Sequence, residues 1–293
     1  PETYLKPNVK PEFTLEEDNT AWQVGIDYRW TEEALLYLNV SKGYKAGSMP
    51  TLSGSIYTAY EPVVQESLIS YEAGFKTRLW NGRASLNGAA FFYDYENKQL
   101  RGKFVDPIFN QLDKLLNVPK SEVTGAELEF TALITDSLEI SLSGTWLDSE
   151  VTDYDGPVGS TIGPMGFEPI IASYAGAELP YTPEWSYAAR ATYSFDLSAE
   201  LQGFASVGLN GQSDSVGVLT PVPERQERYR IDSYDLLDMQ IGIRSRSANW
   251  EVVLWGKNLT DEYYWHSAVP AFDTDGRYPG RPREYGLRAS YRF

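Results

Sequence analysis

Residues 22–30, WQVGIDYRW, alternate strictly. Trp22, Val24, Ile26, Tyr28 and Trp30 fall on one side of an extended chain, and Gln23, Gly25, Asp27 and Arg29 on the other. Successive side chains of a strand point to opposite faces, so this stretch predicts a strand with one apolar and one polar face. The same period returns along the chain. Residues 71–79 set Tyr71, Ala73, Phe75 and Leu79 against Glu72, Lys76 and Arg78. Residues 126–132 set Ala126, Leu128, Phe130 and Ala132 against Glu127, Glu129 and Thr131. Stretches 138–146, 185–195, 237–244 and 285–293 repeat it, and weaker versions mark 34–42, 83–95, 201–210 and 250–257. The pattern predicts about eleven strands, and no helical period fits it.

The predicted connections fall into two classes. Those after Trp30, Trp80, Thr135, Phe195 and Arg246 are a few residues long and rich in turn formers. Those at roughly 45–69, 101–118, 151–183, 211–232 and 261–282 are long and hold most of the Pro and Gly. Short and long alternate, so in an up-and-down antiparallel sheet all short turns lie at one edge and all long loops at the other. Trp22, Trp146 and Trp185 then fall at the long-loop ends of their strands. Trp30, Trp80 and Trp250 fall at the short-turn ends, where Phe293 also closes the last strand. Two rows of amphipathic aromatics are what a membrane strand presents to the two lipid–water interfaces. Eight steps of about 3.3 Å, tilted by about 40°, carry Trp22 to Trp30 over about 20 Å of height, near the apolar band of a barrel. The expected fold is therefore all-β, an antiparallel up-and-down transmembrane β-barrel. A soluble sheet packed on a core, or a kelch-type propeller, is the alternative, and neither explains why short and long connections segregate.

Composition narrows the partners. A formal charge of −16 and a pI near 4.5 disfavour nucleic acid, whose phosphates need a basic surface. There is no cysteine, hence no disulfide framework, thiolate metal site or thiol nucleophile. No apolar run approaches the roughly 18 residues of a membrane helix, but a barrel strand would escape that scan because only alternate residues meet lipid. The chain opens on proline without an apolar leader, as a mature or truncated product would.

At the level of motifs the chain resembles TonB-dependent outer-membrane receptors. LYLNVSKGYKAG (36–47) is similar to the family's strand that ends in a Ser-Lys-Gly-aromatic turn. SYEAGFKTRLWNGRASLNGAAFFYDYEN (70–97) resembles its hairpin, and KSEVTGAELEF (120–130) its Glu-x-Glu strand. GKNLTDEYYW (256–265) resembles its Asn-Leu-Thr-Asp segment, and GRPREYGLRASYRF (280–293) its terminal strand. The resemblance covers essentially the whole chain and implies the C-terminal half of a 22-stranded barrel plugged by an N-terminal domain. The plug, the motif that TonB grasps and the earlier strands would then be missing here. It further implies a Gram-negative outer-membrane location, with long loops extracellular and short turns and C-terminus periplasmic. The implied partners are outer-membrane lipid, the TonB–ExbB–ExbD complex acting through the missing plug region, and a scarce small-molecule or metal-chelate solute, most often a ferric siderophore. A passive porin or an adhesin is the alternative function.

No catalytic, metal or cofactor site is expected. His266 is the single histidine and has no cysteine or second histidine to form a dyad or metal pair. Glu127 and Glu129 resemble a carboxylate pair, but both point to a wet lumen and read as solvated. The candidate ligand contacts lie in long loops rich in Tyr, Pro and charge: Tyr57 and Tyr60, then Tyr264, Trp265 and His266, and Arg277.

Overall fold

The computed structural model describes residues 4–5, 12–51, 54–247, 249–271 and 274–292. Eleven strands form one antiparallel sheet: β1 (Trp22–Thr31), β2 (Ala34–Lys45), β3 (Glu66–Leu79), β4 (Ala84–Asp106), β5 (Asn110–Leu133), β6 (Leu138–Asp153), β9 (Trp185–Asp196), β10 (Leu201–Gln212), β13 (Tyr234–Ser245), β14 (Trp250–Lys257) and β17 (Glu284–Tyr291). Each pairs with the next, and β1 and β17 have one neighbour each. The other strands pair within the long connections: β7 (Asp155–Gly163) with β8 (Gly166–Ser173), β11 (Ser215–Val216) with β12 (Arg230–Ile231), and β15 (Trp265–Ala271) with β16 (Thr274–Pro279). A 3-10 turn, Tyr57–Tyr60, and a short helix, α1 (Pro223–Arg228), complete the described elements.

Register keeps the two faces apart across the sheet. Ile26 lies opposite Leu38, and the row continues through Ala73, Ala90, Ala126, Trp146 and Trp185. One residue away, Asp27 leads through Tyr37, Gly74 and Ala89 to Glu127, Thr145 and Ser186. A one-residue slip anywhere would exchange the faces, so the alternation fixes the pairing. The apolar face is the open one: Val24 is 67% exposed, Ile26 66%, Leu254 55% and Leu287 71%. A soluble sheet would cover that face with a core. An uncovered apolar surface spanning eleven strands suits a hydrocarbon neighbour.

Tilt explains why the tryptophans are not on one register row. In a barrel whose strands lean by about 40°, each step of about 4.8 Å to the next strand shifts the row by about 3 Å along the membrane normal. Trp146 is five strand steps from Ile26 on the same row, a displacement of about 15 Å along the axis of a barrel so tilted. Trp146 and Trp185 pair there, ring centroids 6.5 Å apart, and the Trp146 indole N–H donates to Glu184 (3.2 Å). At the opposite edge Trp80 meets Phe130 edge-on at 6.2 Å. Phe293 lies outside the described residues.

The long connections depart from expectation. Residues 101–118 are not a loop: β4 and β5 continue as a ladder, with Lys103 opposite Asp113, to a tip at 107–109. The turn is made by Asp106-Pro107, whose Asp106 carboxylate accepts the N–H groups of Ile108 (2.9 Å) and Phe109 (3.0 Å), and by Asn110 with φ 63°. The alternation fails as a signal because Asn97, at φ 54°, interrupts it. Likewise Trp146 lies within β6, not at its end, because β6 runs on to Asp153. Connections 151–183 and 261–282 each contain a hairpin, and 211–232 contains α1.

The main buried core lies at this loop end. Ala177 and Leu179 pack with Tyr174 onto Val118, Val123 and Val151. Backbone bonds pin the crossing: Val151 N–H to Ala177 O and Gly176 N–H to Val151 O, both 2.9 Å. Val123 shares the face of Glu127, so the β8–β9 segment folds over the polar face.

Candidate ligand-binding site

Three outer segments converge beside this core: the β4–β5 extension, the β11–β12 connection with α1, and the β15–β16 hairpin. Between them lies a cleft of about 720 Å³, lined by Lys103, Phe109, Gln111, Arg225, Arg228 and Asp275 among others. A second cavity of about 360 Å³, bordered by Arg101, Asp113, Tyr174 and Tyr181, shares Lys103, Arg225 and Pro270 with the first. These shared residues form a wall common to both cavities.

The walls are held by the segments' own polar groups. The Tyr181 hydroxyl lies 2.8 Å from Ser267 Oγ, and Tyr181 N–H donates to Val216 O at 2.9 Å. Tyr229, buried against Ile231 and Ala268, donates its hydroxyl to Asp275 (2.5 Å), and Arg228 Nε donates to the same carboxylate (2.6 Å). The Tyr229 bond, then Arg228, hold the Asp275 carboxyl below its usual range. Gly217 permits the closest approach: a Cβ there would stand 2.1 Å from Ala268 O.

Charges in the cleft are unevenly balanced. Asp113 accepts from both Lys103 Nζ (2.8 Å) and Arg101 Nη2 (3.1 Å), two cations on one carboxylate. No ion pair or hydrogen bond engages the Arg225 side chain among the described residues. Its field nonetheless reaches both cavities. Burial raises the Tyr174 and Tyr229 phenols above their ordinary pKa, and the Arg225 charge opposes both rises.

The residues expected from sequence divide into three places. Trp265 and Arg277 come together, the guanidinium 5.5 Å from the ring centroid, and Arg277 Nη2 donates to Arg228 O (3.0 Å). Tyr264 is buried, its ring tilted against Tyr234 with centroids 4.3 Å apart; His266 is exposed and meets Tyr264 edge-on at 5.1 Å. Tyr57 and Tyr60 are elsewhere. Their turn is tied to Lys114, whose Nζ donates to Thr58 O (2.8 Å), and to Asp106, which accepts from Ser55. Lys114 follows Asp113 on β5, so that turn sits on the face of the β4–β5 hairpin opposite the cleft. Lys103, Asp113, Arg225, Tyr229 and Asp275 were not expected; the Asp-Pro turn at 106–107 was the one available signal that a hairpin reaches there. No group of three or more His, Asp or Glu able to hold a metal occurs among the described residues. A separate hollow of about 670 Å³, lined by Ala191, Val207, Met239 and Leu254, lies on the apolar face of the sheet, away from these segments.

Residues 2–259 match the family of TonB dependent receptor-like β-barrels. The chain is 27% identical over 201 residues to the metal-pseudopaline receptor CntO of Pseudomonas aeruginosa, covering 64% of this chain and 26% of that protein. It is 29% identical over 140 residues to a probable TonB-dependent siderophore receptor, PiuA, of Acinetobacter baumannii, covering 46% and 18%. Among solved structures it is similar to the ferric yersiniabactin uptake receptor FyuA of Yersinia pestis, with TM-score 0.70, 18% identity, and 92% of this chain on 37% of that one. The ferric preacinetobactin receptor BauA of Acinetobacter baumannii gives TM-score 0.62 at 18% identity, with 92% and 36% covered. The chain thus matches about a quarter of the length of the first of these curated relatives (26%).

Proposed function

Because the chain belongs to the TonB-dependent receptor-like β-barrel family, we propose that it forms the C-terminal part of the barrel wall of an outer-membrane receptor that takes up a scarce solute. The solute is a ferric siderophore or similar iron complex, and TonB supplies the energy. The observation that carries this reading is the pairing of an uncovered apolar sheet face with a polar-walled cleft at one edge. The first suits lipid and the second a solute. The relatives named above for metal chelates support the choice of ligand. The protein performs no bond chemistry in this reading.

The long connections face the outside and the short turns face the periplasm. About eleven further strands would close β1 against β17, since unpaired backbone groups in hydrocarbon cost several kcal/mol each. A barrel of that size leaks unless filled, so a plug domain belongs to the same polypeptide and carries the contact to TonB–ExbB–ExbD. The test is growth on iron chelates by a strain in which the intact gene is the sole uptake route. Growth should stop on deletion of the gene, on loss of TonB, or when the proton gradient is collapsed. Uptake that survives the last two would mark a passive pore.

A further inference from the structure

We infer that the ligand of the outer cleft is an anion whose oxygens are held by Arg225 of α1 and Lys103 of β4, the two cationic side chains that border both cavities. This rests on the uptake reading and adds the ligand's charge and its principal contact. Four observations converge. The whole chain carries −16, yet the two cavities together present Arg101, Lys103, Arg225 and Arg228 against Asp113, Glu224 and Asp275. A positive spot on an acidic molecule concentrates an anionic ligand there. Second, two of these three carboxylates are already engaged, Asp275 by Arg228 and Tyr229, and Asp113 by two cations at once. Positive charge is therefore left over where Lys103 stands. Third, Arg225 is half-buried with no partner for its guanidinium among the described residues, and an uncharged ligand would replace its water with neutral hydrogen bonds at best. A bidentate carboxylate or catecholate would satisfy it. Fourth, the phenols of Tyr174, Tyr181 and Tyr229 spend their hydroxyls on Pro157, Ser267 and Asp275, respectively. Exposed Tyr181 and Phe109 then offer ring surface for the apolar parts of a chelate. A cleft near 720 Å³ suits a ligand of that size.

The intact gene product, purified in detergent, would be titrated with three chelates: iron(III) citrate and an iron(III) tris-catecholate, both anionic, and an uncharged iron(III) tris-hydroxamate. At least one anionic chelate should bind, more weakly as salt is raised. Arg225→Ala should weaken it by about 10- to 100-fold, the scale of one charge-assisted hydrogen bond. Arg225→Lys should recover part of the loss, and Arg225→Glu should abolish binding. Arg283→Ala, whose residue pairs with Asp261 outside the cleft (3.5 Å), should change nothing. No ion pair or hydrogen bond among the described residues uses the Arg225 side chain, so the variants should keep the fold, and unchanged near-ultraviolet circular dichroism would check it. Unaltered anionic binding in folded Arg225→Ala, or binding of the uncharged chelate alone, overturns the inference while leaving the uptake reading standing. Failure of all three chelates to bind the folded protein removes both.

Discussion

Ile26→Arg is the substitution that bears most directly on the membrane face. Ile26 sits midway between Trp22 and Trp30, about 10 Å in height from each if the strand leans by about 40°. It is 66% exposed, so arginine there meets no steric obstacle and its cost comes from the surroundings alone. At the midplane of a barrel that cost is about 2–4 kcal/mol, a change of about 30- to 1000-fold in the folding equilibrium. Asp27→Ser, one residue along on the wet face, should cost well under 1 kcal/mol, as an exposed polar exchange does. Depth supplies a sharper comparison. Ala126 shares Ile26's register row but stands four strands away, which tilt turns into about 12 Å of height. Ala126→Arg should therefore cost about 0–1 kcal/mol, the interfacial figure. The assay is equilibrium refolding of the intact protein into lipid vesicles against denaturant, followed by tryptophan fluorescence. Equal losses at Ile26 and Asp27 would refute the lipid-facing assignment. Equal losses at Ile26 and Ala126 would refute the tilt.

Two further outcomes follow from the same structure. Ile162→Cys, 82% exposed at the β7–β8 tip, should react with an impermeant thiol reagent on whole cells, while Asn81→Cys should stay silent until the outer membrane is opened; labelling only at Asn81 would invert the sidedness. Asp106→Asn should free the 54–60 turn at a cost of about 1–3 kcal/mol, that of leaving a buried hydrogen-bond set unmet. Amide exchange at Ser55, Ile108 and Phe109 reads this directly. Burial alone would raise the Asp106 pKa, but bonds from the Ser55 hydroxyl and the three backbone N–H groups pull it below the ordinary carboxylate value. A depressed folded pKa means the stabilisation is complete above the unfolded value of about 3.9 and is lost as pH falls through the folded one. Protection at those amides should thus survive to pH 4 and fade only below it; loss between pH 5 and 6 would contradict the assignment.

How far the sequence could be read depends on what each part packs against. Strands β1, β9 and β17 were legible because lipid on one side and water on the other impose the same choice on every second residue. That period needs no knowledge of the partner strand. Strand direction came with it, since it follows from counting short and long connections. The cleft was not legible, for the opposite reason. Lys103 and Asp113 sit on a stretch of β4 and β5 that pairs with no other strand of the sheet, where neither face is obliged to be apolar and the period carries no signal. Arg225 and Asp275 are 50 residues apart and border one cleft, where Gly217 lets one connection lie against Ala268 of another. Tyr264 misled for a related reason: an aromatic in a loop reads as exposed, but here it lies tilted against Tyr234 and fills the space that Gly280 leaves open, where a Cβ would come within 2.0 Å of its ring. The barrel wall is thus written in local alternation. The ligand site is written in contacts between segments distant in sequence, and a site of that kind can change its ligand by altering one side chain such as Arg225 without disturbing the wall that holds it.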